Sequence, residues 1–214
     1  MESDINDLIK KVDLEGIGKL LSQNPGLANK GIPYDQNNMT LAHPLHRICD
    51  SVFNRIISDE AAVKIAEIFL EYGANVDGFE LKEKKDTPLV AAASLHADLV
   101  ALLYINHGAN IHHGGCSGGT ALHWAAWCGR DIVVSRLLRE NPEIKKLCID
   151  YKATPLFWAI HGYKFGGGKN RHHQIACAKL LLGAGADKNI PNAEGTLMVD
   201  MLGEEDIELK ALLA

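Results

Sequence analysis

Thr120-Ala121-Leu122-His123-Trp124-Ala125 is the stretch that decides the fold, because close variants of it recur along the chain. Thr87-Pro88-Leu89-Val90-Ala91-Ala92 begins 33 residues before it, and Thr154-Pro155-Leu156-Phe157-Trp158-Ala159 begins 34 residues after it. A fourth variant, His43-Pro44-Leu45-His46-Arg47-Ile48, begins 44 residues before the Thr87 copy. Such a spacing, kept through several copies, indicates stacked supersecondary units.

Each copy carries the signal that starts a helix, and a signal that stops a second helix follows it. Threonine is a good N-cap, and proline suits the first helical turn, where its missing amide would have no partner. Gly73, Gly108 and Gly185 each follow an apolar stretch. Glycine there accepts the left-handed conformation that ends a helix. The pattern therefore predicts pairs of helices separated by turns.

These copies resemble the ankyrin repeat, whose signature is a Thr-Pro-Leu-His-x-Ala start and a period of about 33 residues. The resemblance implies an all-α solenoid of about six helix-turn-helix units with protruding turns. Residues 1–214 are expected to form a single domain, with repeats that start near residues 43, 87, 120 and 154.

The two ends of the chain are expected to form capping units, because a stacked array must hide its last apolar faces. We place the N-terminal unit at about residues 3–30, with Ser3 as the cap of its first helix, and the C-terminal unit at about residues 196–214. The long spacings before Thr87 and Thr196 indicate insertions, which we place at residues 51–60 and 163–173. The second insertion is rich in glycine and predicts an exposed, mobile loop.

Composition and charge exclude several classes of function. The net charge of −5 disfavours binding to nucleic acid or to an anionic membrane. The apolar runs are far shorter than the roughly 18 residues of a membrane helix. The acidic start does not resemble a secretion signal, and five cysteines are an odd number for a disulfide framework. These features predict a protein of the reducing cytoplasm.

No motif in the sequence predicts a cofactor or a catalytic site. Gly168-Lys169 lacks the first glycine and the hydroxyl residue of a phosphate-binding loop. The pairs His112-His113 and His172-His173 leave open a metal-responsive or pH-responsive regulator, because histidine binds metals and changes charge near neutral pH. A cysteine-dependent enzyme built on Cys128 and His161 is a further alternative, since such partners need only meet in space.

The resemblance implies a binding surface formed by the turn tips and the exposed sides of the first helices, where ankyrin proteins usually bind other proteins. Trp124 and Trp158 lie at equivalent positions along it, so their rings should be neighbours, and Trp127 lies one turn further on. These rings are candidates for an interface, although they could instead fill gaps between helices. We predict a protein or peptide partner and no small-molecule substrate. The candidate partner-binding residues are Trp124, Trp127, Trp158, Arg47, Tyr151 and His161.

Overall fold

The computed structural model describes residues 4–34 and 40–214. Within these ranges the chain forms eleven α-helices and one small antiparallel sheet, in which strands β1 (Ile32–Pro33) and β2 (Leu41–Ala42) pair Ile32 with Ala42. The all-α class predicted from the sequence is confirmed. The helices are α1 Ile5–Lys11, α2 Leu14–Gln23, α3 Pro44–Phe53, α4 Asp59–Glu71, α5 Pro88–Ser94, α6 Asp98–Asn106, α7 Ala121–Cys128, α8 Asp131–Leu138, α9 Pro155–Phe165, α10 Arg171–Gly183 and α11 Ile207–Leu213.

The four recurring segments each start a helix. The hydroxyl oxygen of Thr87 accepts from the Val90 amide at 3.3 Å, and that of Thr154 accepts from the Phe157 amide at 3.2 Å. His43 performs the same task for α3, since its Nδ1 accepts from the Leu45 amide at 3.3 Å. A capping side chain satisfies an amide that the first turn of a helix leaves unpaired. The predicted repeat starts therefore coincide with capped helix starts.

About half of each predicted insertion is helical. Helices α3 and α9 have 10 and 11 residues, against 7 in α5 and 8 in α7. Helices α4 and α10 have 13 residues each, against 9 in α6. The extra residues thus lengthen both helices of a pair, and the loop predicted at 163–173 shrinks to residues 166–170.

The terminal units differ from the repeats between them. Helix α1 is capped by Asp4, whose carboxylate accepts from the Asn6 amide at 3.2 Å, and Ser3 lies outside the described residues. In the last unit a short 3-10 helix, Met198–Met201, stands where a full first helix was expected. Helix α11 closes this unit with Leu209 and Leu213 buried.

The chain divides into two compact units. The first comprises the residues through Lys82 and Thr87–Asn110. In it α3 packs against α4 and α5, while α4 packs against α2 and α6. Corresponding helices of successive pairs therefore lie side by side. The hydroxyl of the buried Tyr104 donates to the carbonyl oxygen of Leu45 at 2.8 Å and ties α6 to α3.

The second unit comprises Glu83–Asp86 and Ile111–Ala214. Helix α7 packs against α8 and α9, and α10 packs against α8 and α9. Burial of each large aliphatic side chain between them contributes about 1.5–3 kcal/mol. No helix in the described part of the chain combines the length and the apolar character that crossing a bilayer requires. The fully buried aliphatic side chains of this core include Val133, Leu137, Leu156 and Leu181.

Candidate partner-binding site

The tryptophans meet because of the repeat. Trp124 and Trp158 occupy equivalent positions in α7 and α9, four residues after Thr120 and Thr154. Since α7 and α9 pack side by side, the two rings lie 5.0 Å apart between centroids with an interplanar angle of 81°. Trp127, one turn further along α7, lies 6.2 Å from Trp124 at 77°. Each pair has the edge-to-face arrangement that aromatic rings prefer.

These rings line a cleft of about 410 Å³ in the second unit, which we call the aromatic cleft. Trp158 is buried, with 7% of its surface exposed, and Tyr151 is 58% exposed. Trp124, Trp127 and His161 are half-buried. The rings therefore pack against one another and also line the cleft. The residues that line the aromatic cleft are Ser117, Trp124, Trp127, Tyr151, Ala153, Phe157, Trp158, His161, Asn192 and Glu194.

His161 fixes the ring of Trp127. The indole nitrogen of Trp127 donates to Nδ1 of His161 at 3.2 Å. Burial lowers the pKa of His161, which favours the neutral ring that this hydrogen bond needs. The acceptor role of Nδ1 places the proton of the neutral ring on Nε2. Trp127 and His161 thus form one positioned pair, with a residue from α7 and a residue from α9.

The indole nitrogen of Trp124 differs from that of Trp127 in its hydrogen bonding. It is buried, and no hydrogen-bond acceptor reaches it from the described residues. Leaving a buried donor unpaired costs about 1–3 kcal/mol. The ring is held in place by its aromatic contacts with Trp127 and Trp158, not by its N–H group.

The buried side chain of His123 packs against Trp158, one of the residues that line the cleft. Its ring packs edge-to-face against Trp158 with centroids 5.4 Å apart. Its Nδ1 accepts from the Thr120 amide at 3.1 Å, and its Nε2 lies 3.1 Å from the carbonyl oxygen of Lys146 and 3.2 Å from that of Ala153. Burial lowers the pKa of His123 to about 4, so the ring is neutral near pH 7.

The turn that follows α10 adds a wall that the sequence did not predict. The amide of Ala193 donates to the carbonyl oxygen of Tyr151 at 2.8 Å. The side-chain oxygen of Asn192 accepts from the amides of Glu194 and Thr196 at 3.0 and 2.9 Å. These bonds hold Asn192 and Glu194 at the cleft. No repeat signature marks either residue, so only the folded chain reveals them.

Arg47 does not line the aromatic cleft. It belongs to the first unit and is buried, with 6% of its surface exposed. Its guanidinium donates to Asp50 Oδ2 at 2.8 Å and to the carbonyl oxygen of Tyr34 at 3.1 Å, and it lies 4.5 Å from the centre of the Tyr34 ring. The equivalence of Arg47 with Trp124 in the repeat therefore does not place it at the same site.

The histidine pairs are engaged in separate local contacts. His113 Nε2 lies 2.8 Å from the carbonyl oxygen of Lys85, and His173 Nδ1 lies 2.8 Å from Asp131 Oδ1. The rings of His172 and His173 lie 4.0 Å apart. Across residues 4–34 and 40–214, no group of three or more histidine, cysteine, aspartate or glutamate side chains is arranged to hold a metal ion.

None of the five cysteines takes part in a disulfide, and of the five only Cys116 is exposed. Cys128, the nucleophile of the enzymatic alternative, is buried at the end of α7. Its suggested base, His161, already accepts a hydrogen bond from Trp127 through Nδ1. Cys49, in the first unit, is also buried, and its burial raises the pKa of its thiol.

Comparison with known proteins agrees with the architecture. A family described as ankyrin repeats (3 copies) matches residues 54–150 and again residues 105–192. The matches span well over half of the chain and leave the two terminal units outside. No curated protein matches the chain closely enough to be reported as a relative. The chain belongs to the ankyrin repeat family, whose members are generally protein-interaction modules and typically not enzymes.

Proposed function

We propose that the chain binds a protein partner through the aromatic cleft. The observation that carries this proposal is the convergence of all three tryptophans of the chain, together with Tyr151, on one cleft of about 410 Å³. Tryptophan and tyrosine are the residues most often found at the energetic centre of protein interfaces. A module of an interaction family that gathers its indoles in this way has the composition of a binding site.

The cleft is also preorganised. Edge-to-face packing holds Trp124 against Trp127 and Trp158, and the hydrogen bond to His161 fixes the ring of Trp127. Rings that are already ordered lose little conformational freedom when a partner binds, so more of the contact energy becomes affinity.

The surroundings have the anatomy of an interface. The indoles and Phe157 supply an apolar centre, while Ser117, Asn192 and Glu194 supply polar groups. An apolar centre with a polar rim is the usual organisation of protein interfaces. Arg47 is outside this proposal, because its guanidinium is already held by Asp50 and Tyr34.

A comparison of three baits tests the proposal. Wild-type protein, the double variant Trp124→Ala/Trp127→Ala and the variant Phe53→Ala are immobilised, and lysate of the native cell is passed over each. Phe53 is the matched control, since it is an aromatic residue of the first unit with 54% of its surface exposed. We expect a protein retained by the wild type and by Phe53→Ala but lost with the double variant.

Purified partner then gives the affinity by calorimetry. Loss of two interface tryptophans is expected to weaken binding at least about a hundredfold, since a hot-spot residue contributes 2 kcal/mol or more. Urea denaturation checks that the double variant still folds. A partner that binds the folded double variant as tightly as it binds the wild type would disprove the role of the cleft.

The cytoplasm remains our proposal for the location of the protein. Support comes from the five cysteines, none of which takes part in a disulfide. Five cysteines without a disulfide suit a reducing compartment, where disulfides do not form.

A further inference from the structure

The aromatic cleft has a charge of one sign. Among the described side chains that line it, Glu194 is the only carboxylate, and none is a lysine or an arginine. His161 is held neutral by burial and by the hydrogen bond from Trp127. The cleft therefore combines several aromatic rings with one carboxylate and contains no cation.

The ring geometry adds to this negative character. Each aromatic ring carries partial negative charge on its faces and partial positive charge on its edge. Trp124 lies nearly perpendicular to both Trp127 and Trp158, at 77° and 81°. Tyr151 is tilted by 64° from Trp158. Trp124 and Trp127 are half-buried and Tyr151 is 58% exposed, so part of their ring surface remains accessible. A cation placed over the face of such a ring is attracted to it.

From this combination we infer that the aromatic cleft binds an arginine side chain from a peptide segment of the partner. The inference rests on the proposed function and specifies the chemistry of the partner. An arginine fits better than a lysine, because its planar guanidinium stacks on indole faces while its five N–H groups reach several acceptors. Glu194 offers a carboxylate, and Ser117 and Tyr151 offer hydroxyl oxygens in the same cleft.

A displayed library of random linear peptides tests the inference with the intact chain. Three selections run in parallel, on the wild type, on Glu194→Gln and on Trp124→Ala/Trp127→Ala. We expect arginine to be enriched at one position among the peptides that the wild type selects. That enrichment should fall with Glu194→Gln, which keeps the shape of the side chain and removes its charge. The tryptophan double variant should not select these peptides.

The result also separates this inference from the proposed function. Peptides that depend on the tryptophans but lack a cationic residue would overturn the arginine inference and leave the binding role of the cleft intact. Enrichment of lysine in place of arginine would overturn the preference for a guanidinium. The absence of any peptide selected by the wild type over the double variant would count against both.

Citrulline provides the sharpest control. It has nearly the shape of arginine but no charge. In a selected peptide, replacing the enriched arginine by citrulline should weaken binding to the wild type at least about tenfold, since both the cation–π contact and the ion pair are lost. The same replacement should matter much less for Glu194→Gln. Equal affinity of both peptides for the wild type would refute the inference.

Discussion

The indole nitrogen of Trp127 donates to Nδ1 of His161 at 3.2 Å, which joins equivalent faces of two successive repeats through one hydrogen bond. Trp124, on the same helix as Trp127, has no such acceptor among the described residues. Two tryptophans one turn apart therefore differ in whether their N–H group is paired.

This difference predicts unequal effects of the same substitution. Trp127→Phe removes an N–H group that donates a hydrogen bond and leaves Nδ1 of His161 without its donor. Trp124→Phe removes an N–H group that has no acceptor among the described residues. We expect Trp127→Phe to lower the free energy of unfolding by about 1 kcal/mol more than Trp124→Phe. Urea denaturation of both variants gives the values. Equal losses would mean that the bond to His161 contributes nothing to stability.

Gly162 predicts a second paired comparison. A Cβ atom there would lie 2.2 Å from the carbonyl oxygen of Trp127, which also accepts from Gln174 Nε2 at 2.7 Å. Backbone at this distance must move, so we expect Gly162→Ala to destabilise the protein by about 1–3 kcal/mol. Gly183 lies in α10 with open space at its Cβ position. Thermal unfolding should show that Gly183→Ala leaves the stability unchanged or raises it by up to about 1 kcal/mol. A similar loss of stability in both variants would contradict the steric argument.

Two buried histidines predict how stability depends on pH. Burial lowers the pKa of His43 and of His123 from 6.5 to about 4. Between these values the unfolded chain binds protons that the folded chain does not, so stability is intact above pH 6.5 and falls as the pH approaches 4. Protonation of each histidine should lower the free energy of unfolding by roughly 2–3 kcal/mol across this pH window.

Urea titrations over the same range measure this dependence. His123→Gln should be less stable at neutral pH, because the bond from the Thr120 amide to Nδ1 is lost, but its stability should change less steeply with pH. His107→Gln, a substitution of an exposed histidine, should retain the slope of the wild type. A slope unaffected by removal of His123 would show that other groups control the acid response.

One buried carboxylate, that of Asp206, helps to attach the last unit. Asp206 lies 2.6 Å from Lys164 Nζ, accepts from the Tyr163 hydroxyl at 2.8 Å and accepts from the Gly203 amide at 2.8 Å. Removing this carboxylate leaves the Tyr163 hydroxyl and the Gly203 amide without their acceptor, so Asp206→Ala should lower the free energy of unfolding.

Hydrogen exchange of residues 196–214 measures this attachment directly, and Asp206→Ala should accelerate it. The adjacent Glu205 also contacts Lys164, at 3.2 Å, but its side chain is 70% exposed. Exposed ion pairs contribute little, so Glu205→Ala should leave the free energy of unfolding nearly unchanged. Equal acceleration in the two variants would mean that Asp206 has no special role.

The fold was accessible from the sequence because the repeat places each start signal at a regular interval. Thr87 and Thr154 were recognisable as caps, and the folded chain shows the hydrogen bonds that such caps make. The sequence predicts a loop for the second insertion, at residues 163–173, but part of it extends helices α9 and α10. Spacing alone does not distinguish a longer helix from a longer loop.

The candidate site was accessible only where it follows the repeat. The equivalent positions of Trp124 and Trp158 predicted that their rings would be neighbours, and the rings lie 5.0 Å apart. Arg47 shares the position but not the environment, because Asp50 one turn later binds its guanidinium. Glu194 comes from a turn that a long-range hydrogen bond, from the Ala193 amide to the Tyr151 carbonyl oxygen, holds in place, and no local pattern encodes that bond.

The chain has three tryptophans, and all three line the aromatic cleft. Fluorescence excited at the red edge of indole absorption therefore originates at this one place. A molecule that enters the cleft changes the polarity around the emitting rings, and a shift of the emission spectrum follows. The protein thus contains an intrinsic optical probe of its own occupancy, and an affinity can be read from it without attaching any dye.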